Sequence, residues 1–412
     1  MAPTSLPHTV KTLRTEAGNR AFYPALDGLR AVAFFLVFFQ HYYSIPWGWT
    51  GVNIFFVLSG FLITGILYDS RDAAHAARNF YIRRTLRIFP LYYGVFLFVL
   101  LLDPVFRWRW SLSWLAWPFY FGNFLRFVSP SVLTDGSPMQ LAANAWLRTP
   151  RAPHLTIYLG HFWSLCVEEQ FYLFWPWIVF WVRSRRVLVW LCGLVVILVT
   201  ILRLFAQHYA PGWMLQGELL HVATPFQLDA LLLGGLVALL LRGPHSRRVF
   251  EIGKVVALYS TFMIVSILAI GIAQSFPNWR IGYLYPAWRF TWGLTIFDLF
   301  AASIIICALQ PSGPVYRLLN LRPLRWIGRI SYGAYVFHDI LHSLFRNMVA
   351  DAGIHCHFIA NNAELVVLLL GLTSTLLLSW LSFRFFESKI LRLKERWTIL
   401  SDRAIIPGQP PD

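Results

Sequence analysis

Apolar stretches of membrane-spanning length recur along the whole chain, separated by short polar or basic segments. A helix needs roughly 20 residues to cross about 30 Å of hydrocarbon. Ten stretches are of about that length: 26–43, 51–68, 88–104, 162–182, 187–206, 226–242, 255–273, 291–309, 331–349 and 364–386. The pattern predicts an all-α polytopic membrane protein with about ten transmembrane helices.

The composition supports this prediction. Of the 412 residues, 57% are hydrophobic, 17% are aromatic and only 13% are charged. A soluble domain carries about 25% charged residues and has no repeated apolar runs of this length. The scarcity of charge also excludes disorder for the body of the chain, because a disordered chain is typically poor in apolar residues and rich in charge.

Basic residues predict how the spans are oriented. With the N-terminus inside, the predicted cytoplasmic segments carry 24 Lys and Arg residues, and the predicted outer loops carry seven. Such an excess marks the cytoplasmic side. Both termini are therefore expected in the cytoplasm, as a segment 1–21 and a tail 391–412 that flank a membrane domain over 22–390. The net charge of +16 is explained by this orientation, and no nucleic-acid-binding motif accompanies it.

The first 20 residues lack the short apolar core of a cleaved signal peptide, so the first span is expected to act as an uncleaved anchor. The aromatic segment "SLSWLAWPFYFGNFL", 111–125, is a further apolar stretch. If it crossed the membrane, the basic run "RSRR" at 183–186 would face outside. An interfacial or re-entrant segment is predicted instead, within the long outer loop 105–160.

The four cysteines show no regular spacing, so no disulfide framework is predicted. No metal site is predicted either. The run "HCHF" at 355–358 places its potential ligands on one short loop, which rarely makes a closed site.

Two polar residues interrupt the first apolar run, Arg30 and His41 in "LDGLRAVAFFLVFFQHYY". Eleven residues at 100° each come within about 20° of whole turns, so both side chains lie on one helix face, about 16 Å apart along the axis. Snorkelling of Arg30 and an interfacial position of His41 would explain each residue separately. Their shared face favours a polar path that both residues line.

The run "HFWSLCVEEQFYLFWPW" places Glu168 and Glu169 side by side within a span. Adjacent helical residues diverge by 100°, so the two carboxylates cannot face the same partner. We expect one to orient or charge-balance His41 and the other to pair with an arginine. A purely structural ion pair is the alternative, although acidic residues inside a membrane are functional candidates by default.

Two further groups of polar residues follow the same logic. Ser331, Tyr335 and His338 in "ISYGAYVFHDILH" are spaced i, i+4, i+7 on one face, where Tyr335 can donate a hydrogen bond and His338 can act as a base. A packing stripe with satisfied polar tips is the alternative.

The run "NFYIRRTLRIFP" carries Arg83, Arg84 and Arg87 into the third span from the inside. Arginine forks bind phosphates well, and contact with anionic lipid is the alternative. Asp229 and Asp298 are further intramembrane acids, and spacing assigns neither of them a role.

Five motifs together resemble a known family. In chain order they are "LDGLRAVAFFLVFFQH", "GVNIFFVLSGFLITGIL", "NFYIRRTLRIFPLYY", "HFWSLCVEEQFYLFWPW" and "ISYGAYVFH". Over about residues 22–390 the chain resembles the acyltransferase-3 family of bacterial integral membrane acyltransferases. Members look like ten-span proteins of the cytoplasmic (inner) membrane.

The resemblance implies transfer of an acyl group, often acetyl, from cytoplasmic acyl-CoA to a hydroxyl of an extracytoplasmic glycan, a lipid-linked acceptor or another cell-surface acceptor. Acyl-CoA would be a substrate, and no permanently bound cofactor is expected. Membrane lipid is the other expected contact, and the oligomeric state is left open. Transporters, flippases and non-catalytic subunits of polysaccharide assembly are the alternatives.

By the same resemblance, His41 is implied as the general base, with Glu168 or Glu169 orienting it, and Arg30 as a residue that stabilises the donor or the thioester oxyanion. Arg83, Arg84 and Arg87 match the family's basic inner-face motif and are implied to hold the CoA phosphates. Ser331, Tyr335 and His338 match a late-helix motif and are implied to support the substrate.

The chain departs from the family pattern in two places. Gln227 replaces an arginine that often pairs with the aspartate matched by Asp229, which leaves that charge pair in doubt. The usual Glu-x-Pro ending is "ESKI" here. Many relatives also carry a fused extracytoplasmic esterase-like domain. None is expected here, so acceptor choice is expected to lie in the membrane domain or a partner.

Overall fold

The computed structural model describes residues 23–45, 47–108, 110, 112–127, 146–148, 156–210, 219–275, 290–355, 359 and 361–398. The predicted segment 1–21 lies outside these residues, as do residues 399–412 of the predicted tail. The side chains of the "HCHF" run at 355–358 also lie outside them.

Each of the ten predicted spans coincides with a helix, which confirms the all-α polytopic prediction. In chain order the helices are α1 Pro24–Tyr43, α2 Thr50–Ser70, α3 Ala76–Leu101, α4 Trp163–Trp181, α5 Arg185–Tyr209, α6 Leu228–Leu241, α7 Ser246–Ser275, α8 Trp292–Ala308, α9 Ser331–His355 and α10 Ala363–Ser382. Shorter helices connect or extend them at Asp103–Phe106, Leu219–Val222, Pro314–Leu319, Arg322–Arg329 and Ser388–Trp397. A π-helical turn, Phe383–Glu387, follows α10.

Five helical segments of the described chain are long and apolar enough to cross a membrane. They are Thr50–Ser70, Ala76–Phe106, Arg185–Tyr209, Ser246–Ser266 and Ala363–Lys394. Helices α6 and α8 are shorter apolar helices. Helices α1, α4 and α9 have 20, 19 and 25 residues, so each is long enough. Their polar residues lower their mean hydropathy, and these three helices carry most of the candidate site.

Local sequence sets the limits of α1, which carries Arg30 and His41. Pro24 lies in the first turn, where its missing N–H costs no helical hydrogen bond. Asp27 lies in the same turn, where the helix dipole favours a negative charge. Ser44 ends the helix in the left-handed conformation, with φ of 51°. The helix is therefore continuous from Arg30 to His41.

The aromatic segment 111–125 forms no long helix. It contains two 3₁₀ helices, Leu112–Ala116 and Gly122–Phe127. Trp114, Trp117 and Tyr120 are buried against the helices, while Leu115 and Phe119 are exposed. A segment this short and irregular does not cross as a helix, and its interfacial or re-entrant position stays a prediction.

One feature of the outer loop was not predicted. Strands β1, Trp146–Arg148, and β2, Thr156–Tyr158, pair antiparallel, with Trp146 opposite Tyr158. Strands of three residues are too short for an alternating pattern to reveal them. Strand β2 leads into a 3₁₀ turn, Gly160–Phe162, and thereby places His161 at the start of α4.

Helices α2 and α6 pack backbone to backbone through glycine. A Cβ atom on Gly60 would overlap the carbonyl oxygen of Leu231, and one on Gly234 would overlap that of Val57. Small residues allow such close approach, on which packing between membrane helices depends.

A Gly60→Val protein is therefore expected to unfold more easily, because the new side chain must push α6 away. Overpacking of this kind costs about 1–3 kcal/mol or more. The midpoint of thermal unfolding in detergent measures the effect. Gly193→Val is the matched control, since nothing lies within 4 Å of a Cβ at Gly193. Equal midpoints for the two variants would contradict the packing account.

A buried charge network joins α5, α6 and α8. Arg203 is fully buried and pairs with Asp229, and its guanidinium also donates to the carbonyl oxygen of Phe226. Asp229 accepts a further hydrogen bond from Thr295, at 3.2 Å. The charge pair that Gln227 left in doubt is thus present, with its arginine supplied by another helix. Gln227 itself donates to the carbonyl oxygen of His221, at 2.7 Å.

An Arg203→Leu substitution is expected to abolish most of the folded protein, because it leaves the Asp229 carboxylate buried without a cation. Breaking a buried pair in this way costs about 3–5 kcal/mol. The monodisperse fraction after detergent extraction measures the loss. Arg346→Leu, at an exposed position on α9, should extract like the wild type. A normal yield of Arg203→Leu protein would show that the pair is dispensable.

Candidate active site

A cluster of histidines lies where α1, α4 and α9 meet. His41 Nδ1 lies 3.0 Å from His338 Nε2, and the His161 and His338 rings are in edge contact, with centroids 5.1 Å apart. Tyr42 packs against α9 by donating a hydrogen bond of 2.9 Å to the carbonyl oxygen of His338. The cluster thus joins residues almost 300 positions apart in the sequence.

The hydrogen bonds define the proton positions on His41 and His338. His338 Nδ1 lies 2.6 Å from the carbonyl oxygen of Tyr335, which only accepts, so Nδ1 carries the proton. In a neutral His338, Nε2 is then an acceptor, and His41 Nδ1 must donate to it. The Val37 carbonyl oxygen, 3.1 Å from His41 Nδ1, favours the same tautomer. His41 Nε2 is therefore the nitrogen with a free lone pair.

Of the three clustered histidines, His41 has the most accessible ring. Its side chain is 32% exposed, while that of His161 is 1% exposed and His338 is fully buried. A buried imidazole cannot meet a substrate without rearrangement, so His41 is the histidine that can exchange a proton with one. His338 holds it in place from behind.

The carboxylate beside His41 belongs to Asp339, and the expected pairing with Glu168 or Glu169 was wrong. Asp339 Oδ2 lies 3.9 Å from His41 Nε2 and 3.4 Å from His161 Nδ1. Glu168 and Glu169 instead lie near Arg84. Both glutamates lie more than one helical turn after His161, and so nearer the middle of α4.

A cavity lies beside Arg30, near the start of α1. Three arginines, Arg30, Arg84 and Arg87, and one glutamate, Glu168, line it, so its charged lining is mainly positive. Apolar residues of α2 and α3 form much of the remaining wall. Arg87 is exposed as well as lining the cavity, so this end is open.

The three predicted inner-face arginines do not act alike. Arg84 and Arg87, one turn apart, line the cavity, whereas Arg83 does not. The guanidinium of Arg84 lies 3.9 Å from the ring centre of Tyr172, which holds it in a fixed orientation. Arg84 and Arg87 therefore share the face of α3 that lines the cavity.

The guanidinium group of Arg30 is held by Asp27. Its Nη1 donates to Asp27 Oδ1 at 3.0 Å, one turn earlier on α1. Glu168 also lines the cavity, beside the hydroxyls of Ser59 and Tyr172, which are hydrogen-bonded to each other. Arg30 and Arg84, two of the three lining arginines, are thus held by neighbouring side chains.

Tyr335 contacts both the cavity and the histidine cluster. It lines the cavity together with Ser164 and Ser331. Its hydroxyl lies 2.5 Å from Ser164 Oγ and donates to the carbonyl oxygen of His161 at 2.9 Å. The predicted face of α9 is thus divided, with Ser331 and Tyr335 at the cavity and His338 behind His41.

Sequence reasoning missed His161, Asp339 and His342. Asp339 lies within a motif that was singled out, and its position inside an apolar run marks it as a functional candidate. His342 follows one turn later, and its Nδ1 lies 3.7 Å from Asp339 Oδ1. His161 gave no signal of its own, because only the fold brings it to α9.

Comparison with known proteins identifies the family. The model of the acyltransferase-3 family, described as an acyltransferase domain, matches residues 23–384. The peptidoglycan O-acetyltransferase OatA of Listeria monocytogenes is 28% identical over 401 residues, covering 92% of this chain and 57% of the relative. A Bacillus subtilis protein named "Putative peptidoglycan O-acetyltransferase YrhL" is 29% identical over 337 residues, covering 78% of this chain and 48% of the relative.

The chain spans about half the length of these relatives. No solved structure matches. The family match covers α1 to α10, and with them the arginine-lined cavity and the histidine cluster. The chain is a multi-pass membrane protein that belongs to the acyltransferase-3 family.

Proposed function

We propose that the protein is an acyl-CoA-dependent O-acetyltransferase that modifies a cell-envelope glycan from within the cytoplasmic membrane. His41 carries this proposal. It is an accessible imidazole with a free Nε2, and it lies on the same helix as Arg30, one of the three arginines that line the cavity. An imidazole with a pKa near 6.5 in its unperturbed state suits proton abstraction at neutral pH.

The cavity is the proposed donor site. Acetyl-CoA carries several phosphate charges, and guanidinium groups bind phosphates through paired N–H donors. Arg84 and Arg87 would hold these phosphates at the open end, which is the cytoplasmic end in the predicted topology.

Arg30 is proposed to hold the pantetheine arm of the donor. Arg30 and His41 are separated by about 16 Å along α1, at 1.5 Å per residue. The pantetheine arm would cover this distance past Tyr335. Arg30 would then contact the arm, about 16 Å along the helix axis from the carbonyl that reacts at His41.

The proposed chemistry balances without a metal or a redox group. His41 Nε2 takes the proton of the acceptor hydroxyl while the hydroxyl oxygen bonds to the thioester carbonyl carbon. The C–S bond then breaks, and the sulfur leaves as the CoA thiolate. The proton taken by His41 is finally returned to the thiolate or to solvent, which restores the free Nε2.

The acceptor is proposed to be a hydroxyl of peptidoglycan or a related envelope glycan. The names of the two relatives above assign them to peptidoglycan, and His41 lies at the end of α1 that is predicted to face outside. Mass spectrometry of muropeptides and other surface glycans, from cells with and without the gene, tests this proposal. An acetyl-sized increment that requires the gene is expected, and identical glycan spectra would overturn the proposal.

A further inference from the structure

The carboxylate of Asp339 is surrounded by histidines. His41, His161 and His342 approach it within 3.9, 3.4 and 3.7 Å. They come from α1, from the turn before α4 and from α9 itself. The Asp339 side chain is 4% exposed, and all of its ion pairs among the described residues are with these three imidazoles.

This arrangement leaves Asp339 without a permanent counter-charge. A buried carboxylate is costly without a cation, and neither Lys nor Arg is among its ion-pair partners in the described chain. Its Oδ2 atom also has no hydrogen-bond partner there. The environment of Asp339 is therefore most favourable when a neighbouring imidazole holds a second proton.

The three histidines differ in what they can do with that proton. His161 Nε2 already donates to the carbonyl oxygen of Val336, at 3.1 Å, and its side chain is 1% exposed. His342 is 18% exposed, and its ring packs on Tyr42. His41 is the most exposed of the three, and its free Nε2 is the atom that faces Asp339.

We propose that Asp339 is the positioning residue of the acyl transfer, whose negative charge stabilises the imidazolium that His41 becomes when it takes the proton of the acceptor hydroxyl. This inference rests on the proposed function. At 3.9 Å the contact is a charge interaction without a formed hydrogen bond, so His41 Nε2 stays free for the substrate. His161 approaches the same oxygen, Oδ2, and His342 approaches the other oxygen, Oδ1.

The role differs from that of Glu168, which lines the arginine cavity, and from that of Glu169, which lies near Arg84. It also differs from that of His338, whose Nε2 accepts a hydrogen bond from His41 Nδ1 and so fixes the His41 tautomer. Asp339 acts only once positive charge develops on His41. Its loss is therefore expected to slow the chemical step while leaving the binding of both substrates unchanged.

The test measures kcat and KM for acetyl-CoA and for a soluble glycan acceptor, per folded molecule, in purified protein. Asp339→Asn keeps the shape and removes the charge, and kcat is expected to fall about 100-fold or more at unchanged KM, as for loss of a group that supports a general base. Asp339→Glu, which restores the charge, is expected to recover part of kcat. Asp351→Asn is the control, about 18 Å further along α9, and should keep the wild-type kcat.

A structural role alone would lower the thermal midpoint and the folded yield without changing kcat per folded molecule. If the Asn variant does not fold, Asp339→Ser serves the same test and should show the same fall in kcat. A wild-type kcat in either folded variant overturns the inference, with acyl transfer by the wild type intact. A wild-type protein that transfers no acetyl group overturns the proposed function itself, and this inference with it.

Discussion

A His41→Gln protein is expected to lose acetyl transfer by at least about 100-fold, the lower end of the usual contribution of a general base. Glutamine retains polarity and similar bulk but cannot take a proton at Nε2. Because His41 is proposed to act on the acceptor hydroxyl and does not line the arginine cavity, the KM for acetyl-CoA should stay near the wild-type value. Initial rates with radiolabelled acetyl-CoA and purified variants measure both quantities.

His208→Gln is the matched control for this prediction. His208 lies on a long apolar helix, α5, but is exposed and outside the cluster. The His208→Gln protein should transfer acetyl groups at the wild-type rate. Equal rates for the His41 and His208 variants would remove His41 from the mechanism.

An Arg84→Gln or Arg87→Gln protein is expected to bind acetyl-CoA more weakly, with a KM raised roughly tenfold to a hundredfold. The estimate follows from losing a charge-assisted hydrogen bond worth about 1.5–3 kcal/mol, at about 1.4 kcal/mol per factor of ten. Both side chains line the cavity, and neither touches the histidine cluster. At saturating donor, kcat should therefore fall much less than KM rises.

Arg83→Gln separates this site from general positive charge at the inner face. Arg83 is adjacent in the sequence but does not line the cavity. The KM of the Arg83→Gln protein for acetyl-CoA should remain within about twofold of the wild-type value, a difference that corresponds to well under 1 kcal/mol. Equal increases in KM for all three arginine variants would instead indicate an unspecific effect of positive charge on the donor concentration near the membrane.

Much of the fold could be predicted because membrane spans are set locally. Each span must carry its own apolar run, and each predicted run coincides with a helix. The exceptions are features that depend on a few residues. Strands β1 and β2 have three residues each, and the start of α3 at Ala76 lies in a basic stretch that hydropathy does not mark.

The site could be predicted only in part. The 11-residue spacing of Arg30 and His41 was informative because one helix sets their relative direction. The partners of His41 could not be predicted, because His338 and Asp339 belong to α9. Their adjacent positions within α9 do not show which of the two faces α1. Arg203 is a similar case, since its pairing with Asp229 depends on how α5 packs against α6.

The central claim is that one path joins an arginine-lined donor cavity to a hydroxyl activated by His41. The most direct test measures acetyl-CoA binding and acetyl transfer in the same proteoliposomes, for the wild type and for His41→Gln. The account predicts that His41→Gln binds acetyl-CoA with the wild-type Kd and transfers almost no label to the glycan. Label transfer at the wild-type rate by His41→Gln, or the absence of acetyl-CoA binding by the wild type, would contradict it.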